Sequence, residues 1–323
     1  MTEPILTAEG VAKHYPLKGA GFSRRKGRVL AVADVSLSVA AGEVFGLVGE
    51  SGCGKSTLGR VLLRLEAPTA GRVCFNGEDV AAFDAGRLKR FRREAQIVYQ
   101  DPYSSLNPRR SIGDLVAEPL DIHRVGTPAE RRERVAWLLN VVGLLPEHGR
   151  RYPHEFSGGQ RQRIVIARAL ALNPQLLLAD EPVSALDVSI QAQVINLLKE
   201  LQAQFNLTYI FISHDLSLVE YICDRVAVMY LGRLVELASK QDLYREPLHP
   251  YTQALLSAAP VPDPKARKNR ILLTGDVPSA VNPPAGCSFH PRCRERRDIC
   301  SQRLPEFREI SPARFVACHN RCG

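Results

Sequence analysis

The sequence contains no apolar run of the roughly 18 residues that a membrane-spanning helix requires. Its first residues, MTEPIL, also lack the basic region and apolar stretch of a secretory signal. Internal repeats and low-complexity tracts are absent as well. These absences argue against an integral membrane protein and against an exported one. We expect the chain to fold in the cytosol and to remain there unless a partner holds it at a membrane.

Positive charge exceeds negative charge only moderately. The 323 residues include 43 lysines and arginines and 34 aspartates and glutamates, which gives a formal net charge of +9. Such a balance can suit nucleic acid or an anionic lipid surface, but the arginine pairs are scattered, which favours ordinary solvated helix faces. With 45% hydrophobic residues the chain can bury a core, and its length suggests two domains or one domain with an extension.

Cysteine is scarce through most of the chain and concentrated at its end. Cys53, Cys74 and Cys223 are isolated in the sequence. The other five fall within the last 37 residues: Cys287, Cys293, Cys300, Cys318 and Cys322. In a cytosolic protein such crowding favours ligation of a metal or cluster over disulfide bonds.

Short apolar runs alternate with helical patterns over the first two thirds of the chain, which is typical of an α/β fold. We predict buried strands, amphipathic helices and a hairpin around Gly232 in this part. The predicted strands cover residues 44–48, 175–179 and 208–212, the helices 56–65 and 189–205, and the hairpin strands 225–230 and 233–237.

Residues 101–172 are mostly helical in pattern and are predicted to form an inserted helical subdomain. Beyond residue 239 prolines and cysteines accumulate and the apolar periodicity fades. We therefore divide the chain into a domain over residues 1–239 and a small Cys-rich C-terminal extension over residues 240–323.

A glycine-rich loop follows the first predicted buried strand. Its pattern, Gly-x4-Gly-Lys-Ser, matches the phosphate-binding loop in full and has the strand-loop-helix context that this motif needs. The glycines let backbone N–H groups converge on phosphate oxygens, the lysine can reach terminal phosphates, and the serine hydroxyl can hold Mg²⁺. The sequence therefore predicts that nucleotide binds at Gly49, Glu50, Ser51, Gly52, Cys53, Gly54, Lys55, Ser56 and Thr57.

Two acids, Asp180 and Glu181, end the predicted strand at residues 175–179. Their side chains should emerge at the carboxyl edge of the sheet, where open α/β sheets bind ligands. Asp180 is then positioned to hold Mg²⁺, directly or through water, and Glu181 to polarise the attacking water as a general base. Alone, such a pair indicates ordinary solvated acids, but the phosphate loop favours the functional interpretation.

Ser157 precedes a predicted helix that runs to about residue 172. Its side chain can cap that helix, and the bare backbone of Gly158 and Gly159 can admit an anion closely. Together with the phosphate loop and the Asp-Glu strand, the motif Ser157-Gly158-Gly159-Gln160 resembles the signature motif of the ATPase subunits of ABC transporters. The resemblance extends over nearly the whole chain, although leucine is commoner than Phe156 before the motif.

The resemblance implies an α/β fold with a RecA-like P-loop ABC ATPase core, an antiparallel β subdomain and an inserted helical subdomain. It also implies that ATP and Mg²⁺ bind between two subunits, with the signature motif of one facing the γ-phosphate held by the other. By the same resemblance Gln100 touches Mg²⁺ or water, His214 contacts the γ-phosphate, and Tyr15 stacks on adenine. Residues 184–187 would couple the two sites. Since every catalytic position is present, including Glu181, we expect a hydrolysis-competent enzyme.

The extension narrows the resemblance to one branch. Segments 249–256, 275–279 and 283–293 are similar to those of the oligopeptide/dipeptide importers, and the basic insertion between Tyr15 and Val32 is similar to that of their second ATPase. This implies a motor for di- or oligopeptide uptake at the cytoplasmic face of the cell membrane. Its partners would be a sister ATPase, two permease subunits and, indirectly, an extracytoplasmic peptide-binding protein.

Two alternatives to peptide uptake remain at this point. Nickel complexes, glutathione or another small cargo are imported by the same branch. A soluble ABC ATPase that acts on DNA or ribosomes is disfavoured, because the chain has one cassette and no long insertion between phosphate loop and signature. We therefore expect no nucleic-acid partner.

Four cysteines of the extension could hold either Zn²⁺ or an iron–sulfur cluster. They are separated by five, six and seventeen residues: Cys287, Cys293, Cys300 and Cys318. Similar members of the branch carry a [4Fe-4S] cluster here, so we predict that cluster, with zinc or unligated thiols as alternatives. Cys322, His290 and His319 are neighbouring alternative ligands.

Overall fold

The computed structural model describes residues 3–17, 27–259 and 270–321. Residues 18–26, which include the basic residues 24–26 of the insertion between Tyr15 and Val32, lie outside these ranges, as does Cys322. The strands are β1 (Pro4–Pro16), β2 (Arg28–Ala40), β3 (Val44–Val48), β4 (Ala70–Phe75), β5 (Glu78–Asp79), β6 (Ala95–Val98), β7 (Leu176–Asp180), β8 (Thr208–Ser213), β9 (Arg225–Tyr230), β10 (Arg233–Ser239), β11 (Arg308–Ser311) and β12 (Arg314–Val316).

The α-helices are α1 (Lys55–Leu62), α2 (Ala85–Glu94), α3 (Pro102–Ser105), α4 (Ile112–His123), α5 (Pro128–Val141), α6 (Gly158–Leu170), α7 (Val188–Phe205), α8 (Leu216–Ile222), α9 (Lys240–Arg245), α10 (Pro250–Ala258) and α11 (Asp298–Gln302). Short 3₁₀ turns occur at Val80–Ala82, Pro146–Arg150, Pro153–Glu155 and His290–Arg292. In the described part of the chain no helix combines the length and apolar character that a bilayer crossing requires.

The chain forms two compact units, one of Met1–Ala81 with Ser213–Gly323 and one of Ala82–Ile212. The first unit contains an antiparallel sheet in the order β2-β1-β4-β5. It also contains the strand order β11-β12-β10-β9-β3, in which β3 and β9 are parallel and the other neighbours antiparallel. The antiparallel sheet and the strand that leads into the glycine loop are thus parts of the same unit.

The predicted strand at residues 44–48 and the predicted hairpin are both confirmed. All five residues of β3 are buried, as its unbroken apolar sequence indicates. β9 and β10 pair directly across a turn at Leu231 and Gly232, whose φ angles are +43° and +79°. A two-residue turn with two positive φ angles matches the twist of antiparallel strands, which explains why glycine follows Leu231.

The second unit is built on the parallel strands β6, β7 and β8, with β7 in the middle. Every residue of β7 and β8 is buried, as expected for strands of a parallel sheet covered on both faces. Helices α4, α5 and α6 pack on one another in this unit. The region predicted as helical, residues 101–172, contains α3, α4, α5 and α6.

The extension shares a sheet with the residues that precede it. Glu236 and Leu237 of β10 pair with Val316 and Phe315 of β12, so residues on both sides of position 239 belong to one set of strands. The extension also forms α9, α10 and α11. The domain boundary at residues 239–240 stays a prediction.

Candidate functional site

The loop between β3 and α1 has a backbone that only glycine can adopt at two positions. Gly49 has φ +153° and Gly54 has φ +107°. A Cβ atom on Gly49 would lie 2.2 Å from the carbonyl oxygen of Met229, and one on Gly54 would lie 2.0 Å from that of Ala31. Because backbone atoms cannot move aside cheaply, both positions exclude any side chain.

Gly54 is the N-cap position of helix α1, and no side chain among the described residues caps the helix there. The first N–H groups of a helix have no intrahelical acceptor, and they carry the positive end of the helix dipole. An uncapped helix start next to a glycine loop is the arrangement that binds phosphate oxygens. The geometry of this loop therefore fits the predicted phosphate site.

Lys55 points back into the loop. Its side chain is buried, and its Nζ donates hydrogen bonds to the carbonyl oxygens of Gly49 and Glu50 at 2.8 and 3.1 Å. The Cys53 thiol is buried beside it, and this burial raises the pKa of that thiol. Lys55 therefore brings a positive charge to the loop, while Cys53 remains a neutral packing residue there.

Tyr15 lies against the end of the same loop. Its hydroxyl donates a hydrogen bond to Glu66 and also interacts with the Thr57 side chain, and burial raises its pKa. The ammonium group of Lys13 lies 5.2 Å from the Tyr15 ring centroid. The structure thus brings Tyr15 next to the phosphate loop, as its predicted contact with the nucleotide requires.

His214 follows β8 and is exposed. The next residue, Asp215, caps α8 by accepting hydrogen bonds from the backbone N–H groups of Ser217 and Leu218 at 2.8 and 3.4 Å. This cap fixes the start of α8 and, through it, the backbone at His214. His214 belongs to the first unit, together with Tyr15 and the phosphate loop.

The second unit carries the predicted acids at the carboxyl end of β7. Asp180 is 7% exposed, and Glu181 adopts φ +49°, which is a strained backbone conformation for a residue with a side chain. The Glu181 N–H donates to the Ile212 carbonyl at 3.0 Å, and its own carbonyl accepts from the Ser184 N–H and hydroxyl at 3.3 and 3.1 Å. These bonds hold the strained conformation. Non-glycine residues with positive φ concentrate at functional sites.

Gln100 lies at the same edge of the parallel strands as Asp180. Val98, the last residue of β6, pairs with Ala179, and parallel strands end at a common edge. Gln100 is exposed there. The loop at residues 184–187 is held by the amide group of Gln191, which donates to the carbonyl oxygens of Val183 and Leu186 at 3.1 and 2.9 Å.

Ser157 caps α6, as predicted. Its Oγ accepts a hydrogen bond from the Gln160 N–H at 3.4 Å, and the Gln160 side chain accepts one from the Ser157 N–H at 3.1 Å. These two bonds form a capping box. A Cβ atom on Gly159 would lie 2.3 Å from Cγ2 of Ile190, so this glycine allows α6 to approach α7 closely.

The predicted site residues therefore fall into two groups. The phosphate loop, Tyr15 and His214 lie in the first unit, and Gln100, the signature residues 157–160, Asp180 and Glu181 lie in the second. Sequence reasoning missed Tyr251 and Arg292, which contact Glu50 in the phosphate loop. Their only sequence signal is their position inside the segments that resemble the importer branch.

The described cysteines of the extension, Cys287, Cys293, Cys300 and Cys318, lie close together in the first unit. Burial, and after it the neighbouring Cys300, Cys318 and Cys293, raises the pKa of the Cys287 thiol to about 11. Across residues 3–17, 27–259 and 270–321, however, no group of three or more His, Cys, Asp or Glu side chains has the arrangement that holds a metal ion.

Comparison with known proteins agrees with these features. Residues 32–184 match the family described as ABC transporter, and residues 235–300 match the oligopeptide/dipeptide transporter, C-terminal region. The chain is 55% identical over 320 residues to the oligopeptide transport ATP-binding protein AppF of Bacillus subtilis. The aligned region covers 98% of this chain and 97% of AppF. It is 56% identical over 320 residues to a putative peptide import ATP-binding protein of Brucella ovis, and the aligned region covers 98% of both chains.

A similar solved structure is the dimeric, post-hydrolysis ATP-binding cassette MJ0796 bound to ADP and Pi. Its sequence is 29% identical to this chain, and the two structures superpose with a TM-score of 0.63. The superposed region covers 73% of this chain and 98% of the MJ0796 chain.

Proposed function

Because this chain belongs to the ABC transporter family of ATP-binding proteins, we propose that it is the ATP-hydrolysing motor subunit of an importer for di- or oligopeptides. The phosphate loop carries this proposal, since Gly49 and Gly54 leave no room for a side chain and helix α1 starts without a side-chain cap among the described residues. The peptide cargo is supported by two relatives, the oligopeptide transport ATP-binding protein AppF and the putative peptide import ATP-binding protein of Brucella ovis. Nickel complexes and glutathione are the alternative cargoes.

In this proposal the chain binds ATP through the loop at residues 49–57, with Lys55 on the terminal phosphates and Tyr15 on adenine. Ser56, Gln100 and Asp180 provide hydroxyl, amide and carboxylate oxygens, which are the donors that Mg²⁺ prefers. The metal would supply charge neutralisation on the β- and γ-phosphates. The chain's own residues hold the phosphates and orient the water.

Glu181 acts as the general base, and His214 contacts the γ-phosphate. The strained φ of +49° at Glu181 and the three hydrogen bonds on its backbone support this role, because they fix the backbone that carries this carboxyl group at the edge where Asp180 and Gln100 also lie. The signature residues 157–160 act on the nucleotide of a sister subunit. The dimeric form of the MJ0796 cassette supports such an assembly.

We expect the Glu181→Gln variant to bind ATP with unchanged affinity and to lose turnover by about 100-fold or more, because a positioned general base contributes rate and not ground-state binding. The measurement is phosphate release by the assembled transporter together with nucleotide binding by the isolated subunit. Glu200→Gln, on the exposed face of α7, is the matched control and should leave both unchanged. Turnover near the wild-type rate in Glu181→Gln would remove Glu181 from this role.

The partners in this proposal are a sister ATPase, two permease subunits and, indirectly, an extracytoplasmic peptide-binding protein, and the chain lies at the cytoplasmic face of the membrane through the permeases. Reconstitution of the transporter from this chain and these partners tests which cargo it imports. ATP-dependent uptake of a labelled tripeptide, in preference to nickel or glutathione, is the expected result. Uptake of nickel or glutathione alone would replace the peptide cargo.

We also propose the four gathered cysteines, Cys287, Cys293, Cys300 and Cys318, as ligands of a [4Fe-4S] cluster. Each cysteine of such a cluster bonds a different iron, so the sulfurs stand wider apart than around one zinc ion. Their proximity in one unit supports this, since the Cys287 N–H donates to the Cys300 carbonyl oxygen at 2.8 Å and the other thiols contribute to the raised pKa of Cys287. Anaerobic purification followed by iron, sulfide and zinc analysis tests it: iron with sulfide that falls in Cys287→Ser supports the cluster, whereas zinc or neither metal rejects it.

A further inference from the structure

Glu50, the second residue of the phosphate loop, is held by an arginine far along the chain. The guanidinium of Arg292 donates to both carboxylate oxygens of Glu50, at 2.8 and 3.2 Å, and one of its nitrogens also lies 3.5 Å from the Tyr230 hydroxyl. The Arg292 side chain is only 8% exposed. A two-pronged, charge-assisted pair fixes orientation more strongly than a single surface ion pair.

The backbone of Glu50 is held as well. Its N–H donates to the hydroxyl oxygen of Tyr251 at 2.8 Å. Tyr251 is fully buried, and its ring packs on those of Tyr230 and Phe289 with centroid distances of 4.7 and 5.4 Å. Such packing leaves the hydroxyl little freedom.

The start of helix α10, which carries Tyr251, is itself fixed by hydrogen bonds. Nδ1 of His249 accepts the Tyr251 N–H at 3.1 Å and so caps α10. The carboxylate of Glu236 accepts the backbone N–H groups of Leu248 and His249, each at 2.8 Å. A buried acceptor network of this kind orients the start of the helix that carries Tyr251.

The carbonyl oxygen of Glu50 is hydrogen-bonded within the phosphate loop. It accepts from Lys55 Nζ at 3.1 Å and from the Cys53 N–H at 3.2 Å. The Lys55 ammonium has three N–H donors, so it can bond a phosphate oxygen either with the donor not used on Gly49 and Glu50 or in place of this carbonyl. The contacts from Arg292 and Tyr251 do not depend on Lys55, so they keep the Glu50 peptide oriented when the lysine moves.

We propose that Arg292 and Tyr251 of the C-terminal extension are positioning residues of the phosphate loop, which set its affinity for nucleotide by fixing Glu50. A loop already ordered before binding loses less conformational entropy when the phosphates arrive. The inference rests on the proposed ATP binding and assigns the extension a direct part in it. Neither residue contacts the nucleotide in this role.

The test measures binding of a fluorescent ATP analogue and ATP turnover for Tyr251→Phe and Arg292→Gln. Tyr251→Phe keeps the ring packing and removes one hydrogen-bond acceptor, so we expect affinity to fall about fivefold. Arg292→Gln removes a charge-assisted pair and should lower affinity about tenfold or more. KM for ATP should rise in parallel, while kcat at saturating ATP in the assembled transporter stays within about twofold.

Two further variants separate positioning from general stability. Arg294→Gln, two residues away on an exposed side chain, should leave affinity unchanged. In Glu50→Gln the further effect of Arg292→Gln should shrink, because the partner charge is already lost. Thermal midpoints are measured for every variant, and Arg292→Lys replaces Arg292→Gln if the latter does not fold.

The inference is overturned if Tyr251→Phe and Arg292→Gln bind nucleotide with wild-type affinity and show only a lowered thermal midpoint. The contacts to Glu50 would then serve the stability of the fold alone. A kcat loss without a KM change would also overturn the inference. If the wild-type protein itself binds no nucleotide, the proposed function fails first and the inference fails with it.

Discussion

Helix α1 and helix α6 both begin at glycine-containing motifs that we propose to contact phosphate, yet their N-termini are built differently. At Gly54 no side chain within the described residues caps α1, whereas Ser157 and Gln160 close a capping box on α6. The backbone N–H groups of α1 therefore face the loop that precedes them, while two donors of α6 are already satisfied within the motif. The first arrangement suits a helix that holds phosphate by itself, and the second suits one that completes a site on a partner.

The two motifs also differ in how far away their supports lie along the chain. The capping box joins residues three positions apart. The phosphate loop instead depends on Tyr251 and Arg292, which lie 201 and 242 positions from Glu50, and on the nearby carbonyl oxygens of Ala31 and Met229. A locally built motif should tolerate damage elsewhere in the fold, and a motif built from distant parts should not.

The largest effect is expected from Gly54→Ala in the phosphate loop. Its Cβ atom would lie 2.0 Å from the Ala31 carbonyl oxygen in a backbone with φ +107°, so we expect the free energy of unfolding to fall by about 3 kcal/mol or more and nucleotide binding to be lost. Gly52→Ala is the matched control, because Gly52 has φ +78° but open space around it, and it should cost about 1–2 kcal/mol. Urea titrations measure both. Equal losses would show that contact with distant backbone does not matter at Gly54.

Acid should weaken the distant support of the phosphate loop. Burial, reinforced by the charge of Arg321, lowers the pKa of His249 to about 3, and the unfolded value is about 6.5. Between these values the unfolded state binds more protons, so the contribution of His249 to stability is complete above pH 6.5 and is lost as the pH falls, with a slope of up to about 1.4 kcal/mol per pH unit.

Glu236 works in the opposite direction. Burial raises the pKa of this carboxyl, so the cost of keeping it ionised is relieved as the pH falls through its folded pKa. His249→Gln keeps an acceptor for the Tyr251 N–H and removes the titrating imidazole, so the difference from wild type reports the contribution of His249 alone. Urea unfolding of wild type and His249→Gln from pH 7.5 to 5 should converge as the pH falls. Parallel curves would contradict a neutral buried histidine.

The smallest effect is expected at the local motif. Ser157→Ala removes the cap of α6 and should lower the free energy of unfolding by about 1 kcal/mol. Thr127→Ala is the matched control, because Thr127 and Glu130 form the same capping box on α5. Both variants should lose similar stability, and only Ser157→Ala should lower ATP turnover of the assembled transporter. A similar turnover loss in Thr127→Ala would assign Ser157 a purely structural role.

Several elements could be predicted because their signal is local. β3, β7 and β8 are short buried runs dominated by apolar residues, and α7 has regular helical spacing, so the predicted and observed bounds agree within about one residue. β1 and β2 were not predicted individually, since their pairing contains several register shifts that break simple alternation. β11 was missed because all four of its residues are exposed and carry no apolar pattern.

The contiguous parts of the candidate site could be predicted from the sequence: the phosphate loop at residues 49–57, the Asp180-Glu181 pair and the Ser157 cap. Each is a short run whose spacing defines its geometry, so periodicity and motif are enough to find it. Tertiary structure alone decided that Arg292 and Tyr251 reach Glu50, that Ala31 and Met229 crowd the glycines, and that the cysteines gather. These contacts join residues far apart in the chain, and local spacing carries no information about which distant segments a sheet order brings together.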